Sequence, residues 1–319
     1  MSYFVHPKGL CEAAKVGPGT RIWAFAHILS GAVIGRDCNI CDHVFIEEQV
    51  VLGDRVTVKS GAQLCNGLIV EDDVFIGPNA TFANDHFPRS KHHQPTYPIT
   101  TICRNASIGA GATILPGLTI AHNAMIGAGA VVTSSVQPNA IVTGNPARVV
   151  GYVDTKRGGF TYRTVPPPGD AFPSSAQTTV QGVALHRLKR VDDMRGNLLV
   201  GEFRRELPFV PARFFTIFDV PGAHVRGEHA HRHCEQFLVC LRGSCAMVVD
   251  DRRNREEIPL DSPDFGAYVP AMIWTTLYKF SSDAILLVFA SAYYDPEDYI
   301  RDYEVYLQSL DNHAHHGGA

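Results

Sequence analysis

Every sixth residue from Ile22 is apolar: Ile22, Ile28, Ile34, Ile40, Ile46, Leu52, Val58, Leu64, Val70, Ile76 and Phe82. The series resumes at Ile102 and runs through Ile108, Ile114, Ile120, Ile126 and Val132. Four positions after each of these the side chain is small or aliphatic, as at Ala26, Cys38, Val44, Ala62, Ala80, Ala112 and Ala130. A period of six fits neither a helix nor a simple strand pair; it predicts a parallel β-helix whose coils turn a corner after each short strand. Three hexads make one triangular coil. At about 4.8 Å between stacked strands, nearly six coils form a prism on the order of 27 Å tall. The aliphatic position faces the axis, and Gly or Asn/Asp serves the corners.

Between Phe82 and Ile102 the period fails, and "ANDHFPRSKHHQPTYPITT" must leave the prism as an external loop. After Gly151 the repeat stops altogether. The segment 156–179 is rich in Pro, Gly, Ser and Thr and reads as a linker. From Val180 the texture becomes strand-length apolar runs divided by turns: "FFTIFDV", "EQFLVCL", "SCAMVVDD", "FGAYVP" and "AILLVFA". Such runs predict a small antiparallel barrel. The expected fold is therefore all-β, with a β-helix over 1–155, the linker, and a barrel over 180–312.

Composition adds limits. With 45% hydrophobic and 19% charged residues, the 319-residue chain falls in the soluble globular class. A formal net charge of −4 without a long basic run offers no footprint for nucleic acid or an anionic membrane, so any anionic ligand is held locally. No signal-peptide core or membrane-length apolar run is present, which leads us to expect a cytoplasmic protein. The eight cysteines follow no disulfide pattern. "CNIC" places Cys38 at an interior hexad position, which explains it without redox or metal chemistry.

The chemistry concentrates in two stretches. "RGEHAHRHCEQF" alternates His229, His231, His233 and Glu235, which on a strand would all project one way. That arrangement suits a metal cage or a pair of proton-transfer groups. Later in the chain no histidine appears until His313, so a metal cage would be completed by His233 or stay three-liganded. In the external loop, Asn84 and Asp85 stand where the coil gives way, followed by His86, His92 and His93.

The hexads, with the closing "VTGNPARVVG", resemble the left-handed β-helix acyltransferases of the hexapeptide-repeat family. The resemblance implies a trimer with active sites at the loop and the groove between subunits, and acetyl-CoA as co-substrate. Related sugar-nucleotide N-acetyltransferases carry an Asn-Asp pair here, implying that Asn84 orients the sugar amine and Asp85 hydrogen-bonds it. His86 is a further substrate contact, and His86, His92 and His93 are rival bases, because related antibiotic acetyltransferases use a loop histidine. Acetyl-CoA would lie along "SIGAGATILPGL" and "MIGAGAVVT", at Ala110 and Ala128, with Asn145, Pro146 and Arg148 near its nucleotide end.

His229, His231 and Glu235 with Gly243 match the first signature of cupins. "RGEHAHRHCEQFLVCLRGS", "WTTLYKFSSDAILLVFAS" and "YYDPEDYIRDYEVYL" together resemble the dTDP-4-keto-6-deoxyglucose 3,4-ketoisomerases, a metal-independent cupin family. That resemblance implies His229 and His231 as acid and base, in an order left open, Arg226 on the diphosphate, Glu235 as an orienting group and no metal. Such isomerases often carry a tyrosine in the preceding strand, where "RFFTIFDV" offers only Thr216. As a whole the chain resembles bifunctional ketoisomerase/N-acetyltransferases making dTDP-3-acetamido-3,6-dideoxyhexoses for surface polysaccharides such as O-antigen. An external PLP-dependent aminotransferase would supply the middle step, and a trimer or hexamer is expected. The alternatives are an acyltransferase fused to a metal-binding cupin, or to a non-catalytic sugar-binding one.

Overall fold

The structure, a computed structural model, describes residues 2–92, 94–157, 175–222 and 224–316. It contains two compact units, Met1–Val153 and Asp154–Ala319.

In the first unit very short strands stack into three parallel sheets. Asn39 pairs with Thr57 and Thr57 with Phe75, so each strand meets the one exactly three hexads further along the chain. The hexad positions fill the axis: Ile22, Ile28, Ile40, Ile46, Val58 and Leu64 are fully buried. The small residues four positions later, Ala62, Ala80, Ala112 and Ala130, are also at 0% exposure. Each coil hands its backbone hydrogen bonds to the next, as from Thr57 N to Val74 O at 3.0 Å. The burial and the bonding thus repeat with the same period.

Two details of the prism differ from the hexad reading. A coil precedes Ile22, formed by Phe4–Val5, Leu10–Cys11 and Lys15–Val16. Its first two strands pair one position short of three hexads (Phe4↔Arg21, Leu10↔His27), so the six-residue count breaks down there. Corners also take bulky residues in left-handed conformation, including Phe25 (φ 59), His43 (φ 59) and Arg55 (φ 58), besides the expected Asn and Asp. Stacking between coils compensates: Phe25 and His43 rings lie 4.9 Å apart and 12° from parallel. Cys38 is an axial residue at 1% exposure.

The prism ends in a hairpin. Ala140–Thr143 pairs with the last coil and then, antiparallel, with Arg148–Tyr152. This last strand covers a sheet edge that the coils would otherwise leave open.

The second unit has two six-stranded sheets facing one another across an apolar core. Its strands include Arg213–Phe218, Gln236–Arg242, Cys245–Asp250, Phe265–Val269 and Ile285–Ala290, which match the five apolar runs. Leu238, Met247, Val249, Ile258, Phe265 and Leu286 meet between the sheets. The segment read as a linker begins and ends in pairing: Lys156–Arg157 joins Arg255–Leu260, and Ser175–Gln177 joins Ala184–Arg187. Free sheet edges accept any backbone, whatever its composition. Most of that segment, 158–174, lies outside the described residues.

One helix, Tyr303–His316, departs from the all-β expectation. Its signal is nonetheless local: Asp302 accepts a capping bond from Val305 N at 2.9 Å, and Tyr303, Tyr306, Leu307 and Leu310 recur on one helical face. That face packs on Ala230, Trp274 and Ile300, directly behind the histidine strand.

Candidate active sites

The strand Arg226–His231 pairs with Trp274–Tyr278 on one side and Tyr299–Ile300 on the other. A bulge at Gly227 and Glu228, both in left-handed conformation, interrupts the first pairing. Gly227 is required there, since a Cβ would stand 2.7 Å from the Thr275 carbonyl oxygen. Beyond the bulge, Ala230 faces the helix while His229 and His231 lie on the other side, their rings 4.9 Å apart at 82°.

Hydrogen bonding fixes the tautomers. His231 Nδ1 meets Asp298 Oδ2 at 2.8 Å, and that carboxylate also accepts from the backbone N–H groups of His233 at 2.7 Å and Cys234 at 3.4 Å. Nδ1 therefore carries the proton, and Nε2 accepts from Gln236 Nε2 at 3.1 Å. Both nitrogens of His231 are committed. His229 Nδ1 lies 2.9 Å from the Gly227 carbonyl oxygen, which can only accept. Its Nε2 is thus a bare lone pair, with no hydrogen bond among the described residues.

Electrostatics keep both imidazoles neutral. Burial, helped by the positive charge of Arg301, pushes His229 down to about 4 from an ordinary 6.5. Burial also lowers His231, although Asp298 opposes it. Burial would raise Asp298, but the bonds from His231 and the His233 amide outweigh it and hold the carboxyl below its usual range.

Side chains distant in sequence complete the site. The Tyr299 ring centroid lies 4.9 Å from His229 and 4.4 Å from His231. Arg301 stacks over Tyr299 at 4.4 Å, and Arg213 Nη2 donates to the Tyr299 hydroxyl at 3.4 Å. Arg213 also lies 5.4 Å from the Tyr294 ring, and among the described residues its buried Nε has no hydrogen-bond partner. Tyr299 brings a hydroxyl into a site where the preceding strand offers none, since Thr216 points outward and is exposed.

The expected single face of four residues does not form. The strand stops at His231, and the chain turns through Arg232–Glu235 because Asp298 captures two amides there. His233 is exposed, and Glu235 lies against Tyr268, whose phenol is pushed up to about 12 by burial and by that carboxylate. Arg226 is exposed at the start of the strand. The H-x-H-x-x-x-E spacing therefore gathers no metal cage. Among the described residues, the donors that converge are instead those of His231, Cys234 and Asp298.

In the first unit, Asn84 and Asp85 are half-buried where the coil at Thr81–Phe82 ends. Asp85 Oδ1 accepts from Phe87 N at 2.8 Å and Oδ2 from Gln94 Nε2 at 3.5 Å, so the loop holds its carboxylate in place. Phe87 is exposed; Arg89 and His92 close a small turn, and His93 lies outside the described residues. His86 is exposed as well, its ring centroid 6.4 Å from that of Phe87. Pro98 returns the loop against Gly67 and Gly117. Ala110 and Ala128 are exposed on successive coils, joined by Gly129 N to Ala110 O at 2.8 Å. A Cβ at Gly109 would stand 2.5 Å from Ala128 N, whereas one at Gly111 or Gly129 would meet open space. Asn145, Pro146 and Arg148 lie around the turn of the closing hairpin, on its outer side.

Known proteins share both halves of this arrangement. Residues 181–311 match the family described as WxcM-like, C-terminal, and residues 13–48 and 99–134 match the bacterial transferase hexapeptide repeats. The chain is 47% identical over 116 residues to a TDP-4-oxo-6-deoxy-alpha-D-glucose-3,4-oxoisomerase of Aneurinibacillus thermoaerophilus, covering 36% of this chain and 84% of the relative. It is 52% identical over 150 residues to a dTDP-3-amino-3,6-dideoxy-alpha-D-galactopyranose 3-N-acetyltransferase of the same organism, covering 47% of this chain and 78% of the relative. Among solved structures, the TDP-quinovose 3,4-ketoisomerase of Campylobacter jejuni is similar at 38% identity and a TM-score of 0.40, over 40% of this chain and 99% of that one.

Proposed function

Because the chain belongs to the sugar 3,4-ketoisomerases through its second unit and to the hexapeptide-repeat sugar N-acetyltransferases through its first, we propose that it is a bifunctional enzyme. It converts dTDP-4-keto-6-deoxyglucose to the 3-keto sugar, and it acetylates the dTDP-3-amino-3,6-dideoxyhexose made from that product. The observation that carries the first activity is the pair of neutral, tautomer-fixed imidazoles beneath Tyr299.

In the isomerase, His229 Nε2 is the base, because it alone of the four ring nitrogens of His229 and His231 is uncommitted. It takes the proton from C3 of the sugar, and O4 gains a proton to give the 3,4-enediol. O3 then loses its proton as C4 receives one, which leaves the ketone at C3. Tyr299 supplies the hydroxyl at the sugar oxygens, since Arg213 donates to its oxygen and leaves its own proton free. His231 positions this ring rather than exchanging protons. Arg213 and Arg301 are better placed than Arg226 for the diphosphate, because both lie against Tyr299. Glu235 supports the wall through Tyr268.

In the acetyltransferase, the sugar amine attacks the acetyl-CoA carbonyl, the C–N bond forms, the C–S bond breaks, and the thiolate takes the proton. Asn84 orients the amine and Asp85 accepts its hydrogen bond, with His86 beside the sugar. Acetyl-CoA follows the open strip of Ala110, Gly111, Ala128 and Gly129, with Asn145, Pro146 and Arg148 at its nucleotide end. We assign these activities to 1–155 and 180–312, in a cytoplasmic trimer or hexamer that needs no metal. Among the described residues no helix is long and apolar enough to cross a membrane. The middle step belongs to a PLP-dependent aminotransferase, and the product class suits surface polysaccharides such as O-antigen. The acetyltransferase relative favours the galacto configuration at C4.

The test is incubation with dTDP-4-keto-6-deoxyglucose in deuterated water. Isomerisation with deuterium at C4 of the product and C3 of recovered substrate is expected, and an axial C4 hydroxyl by NMR. No exchange at C3 would overturn the isomerase assignment.

A further inference from the structure

One group of donors in the second unit is not used by the proton transfer. The ligand atoms of His231, Cys234 and Asp298 lie within 4.8 Å of one another. All three residues are buried, at 6%, 2% and 9% exposure. Their kinds differ: an imidazole nitrogen, a carboxylate oxygen and a thiol sulfur. Among the described residues the sulfur has only weak partners, the Glu235 carbonyl at 3.5 Å and the Ser291 hydroxyl at 3.9 Å. The carboxylate is fixed by the backbone amides of His233 and Cys234. One sulfur, one nitrogen and one oxygen make a donor set that zinc accepts with water as a fourth ligand, and the sulfur selects thiophilic ions over magnesium or calcium.

We propose that His231, Cys234 and Asp298 form an inhibitory site for a thiophilic divalent cation such as zinc or cadmium. In the metal-free protein a proton between His231 Nδ1 and Asp298 Oδ2 stands where the ion would be held. On binding, Cys234 releases its thiol proton to solvent and bonds the ion through sulfur. The His231 proton moves from Nδ1 to Nε2, and Nδ1 becomes a ligand. Gln236 then turns its amide to present oxygen to the new Nε2–H. No electron is transferred, and about one proton is released per ion. The second half of the proposal rests on the isomerase reading: His231 no longer has the tautomer that the neighbouring groups require, so the ketone transposition slows.

Titration of the intact chain with cadmium chloride tests the site without reference to turnover. A thiolate-to-cadmium ultraviolet band that saturates at one ion, with proton release measured calorimetrically in two buffers, is expected. Cys234→Ser should abolish that saturable step, while Cys41→Ser keeps it. An unchanged band and affinity in Cys234→Ser would overturn the site. Should that variant fold poorly, cadmium NMR of the wild type decides: a single-thiolate shift supports the site, and a two-thiolate shift, pointing to Cys240 and Cys245, overturns it. For regulation, zinc should inhibit the wild type reversibly and leave Cys234→Ser, of normal basal activity, unaffected. Zinc binding without inhibition would overturn the regulatory half alone. A wild type with no deuterium exchange in the absence of metal would instead count against the isomerase reading, and the cadmium result would still stand.

Discussion

A carbonyl or carboxylate neighbour decides which nitrogen of a histidine carries the proton; His229 and His231 both carry it on Nδ1, and Gln236 at His231 Nε2 is what distinguishes the two rings. His229→Asn should lower deuterium exchange at C3 by about 10²- to 10⁴-fold while dTDP binding persists. Because burial brings His229 down to about 4, the acid limb of kcat/KM should fall near there rather than at 6.5. A limb at 6.5 would show that the ring is not shielded as described. The same burial has a stability cost. His186, buried and among the described residues without a partner on Nδ1, is likewise pushed down to about 4. Where the folded value lies below the unfolded one, the unfolded chain binds more protons, so stability is full above about 6.5 and falls as pH drops towards 4. The thermal midpoint should decline across that window, and His186→Leu should reduce the decline. Spacing alone makes His229 and His231 legible in the sequence. Asp298 is not, because it reaches His231 across 67 residues through a strand pairing that leaves no local mark.

Among the elements, the hexad is legible because burial, hydrogen bonding and side-chain size share one period. The first coil is not, because two of its three strands fall one position short of that count. Beyond His231 alternation predicts a straight strand, whereas a bulge before it and captured amides after it bend the chain. Replacing an axial side chain tests the prism directly. Ile46 is wholly buried between Ile28 and Leu64 of adjacent coils. Ile46→Ala should cost about 2 to 5 kcal/mol in denaturant unfolding. A cost well below that would mean the coils close over the gap. The corner at Gly111 should accept alanine in space but not in backbone, its φ being 65°.

At the scale of the molecule, the isomerase relative and the acetyltransferase relative match different parts of the chain, and the proposed reaction order leaves the intervening amination to another enzyme. Supplied with dTDP-4-keto-6-deoxyglucose and acetyl-CoA, the chain alone should make the 3-keto sugar and no acetamido sugar. Adding a PLP-dependent sugar aminotransferase and an amino donor should restore acetamido sugar, as seen by mass spectrometry. Asp85→Ala should block only this last step, and His229→Asn only the first. Acetylated product from the chain alone would mean that an amination site has been overlooked.

The loop after Phe82 leaves the coils on either side in register. Phe75 pairs with Ser107 across the loop just as Thr57 pairs with Phe75 without one, so the excursion lengthens a single coil and shifts no partner. The coil register therefore does not depend on how long that excursion is. Descendants could exchange it whole and so acquire new acceptor sugars, with the scaffold inherited unchanged, and grafting loops between such enzymes offers a direct way to retrace that history.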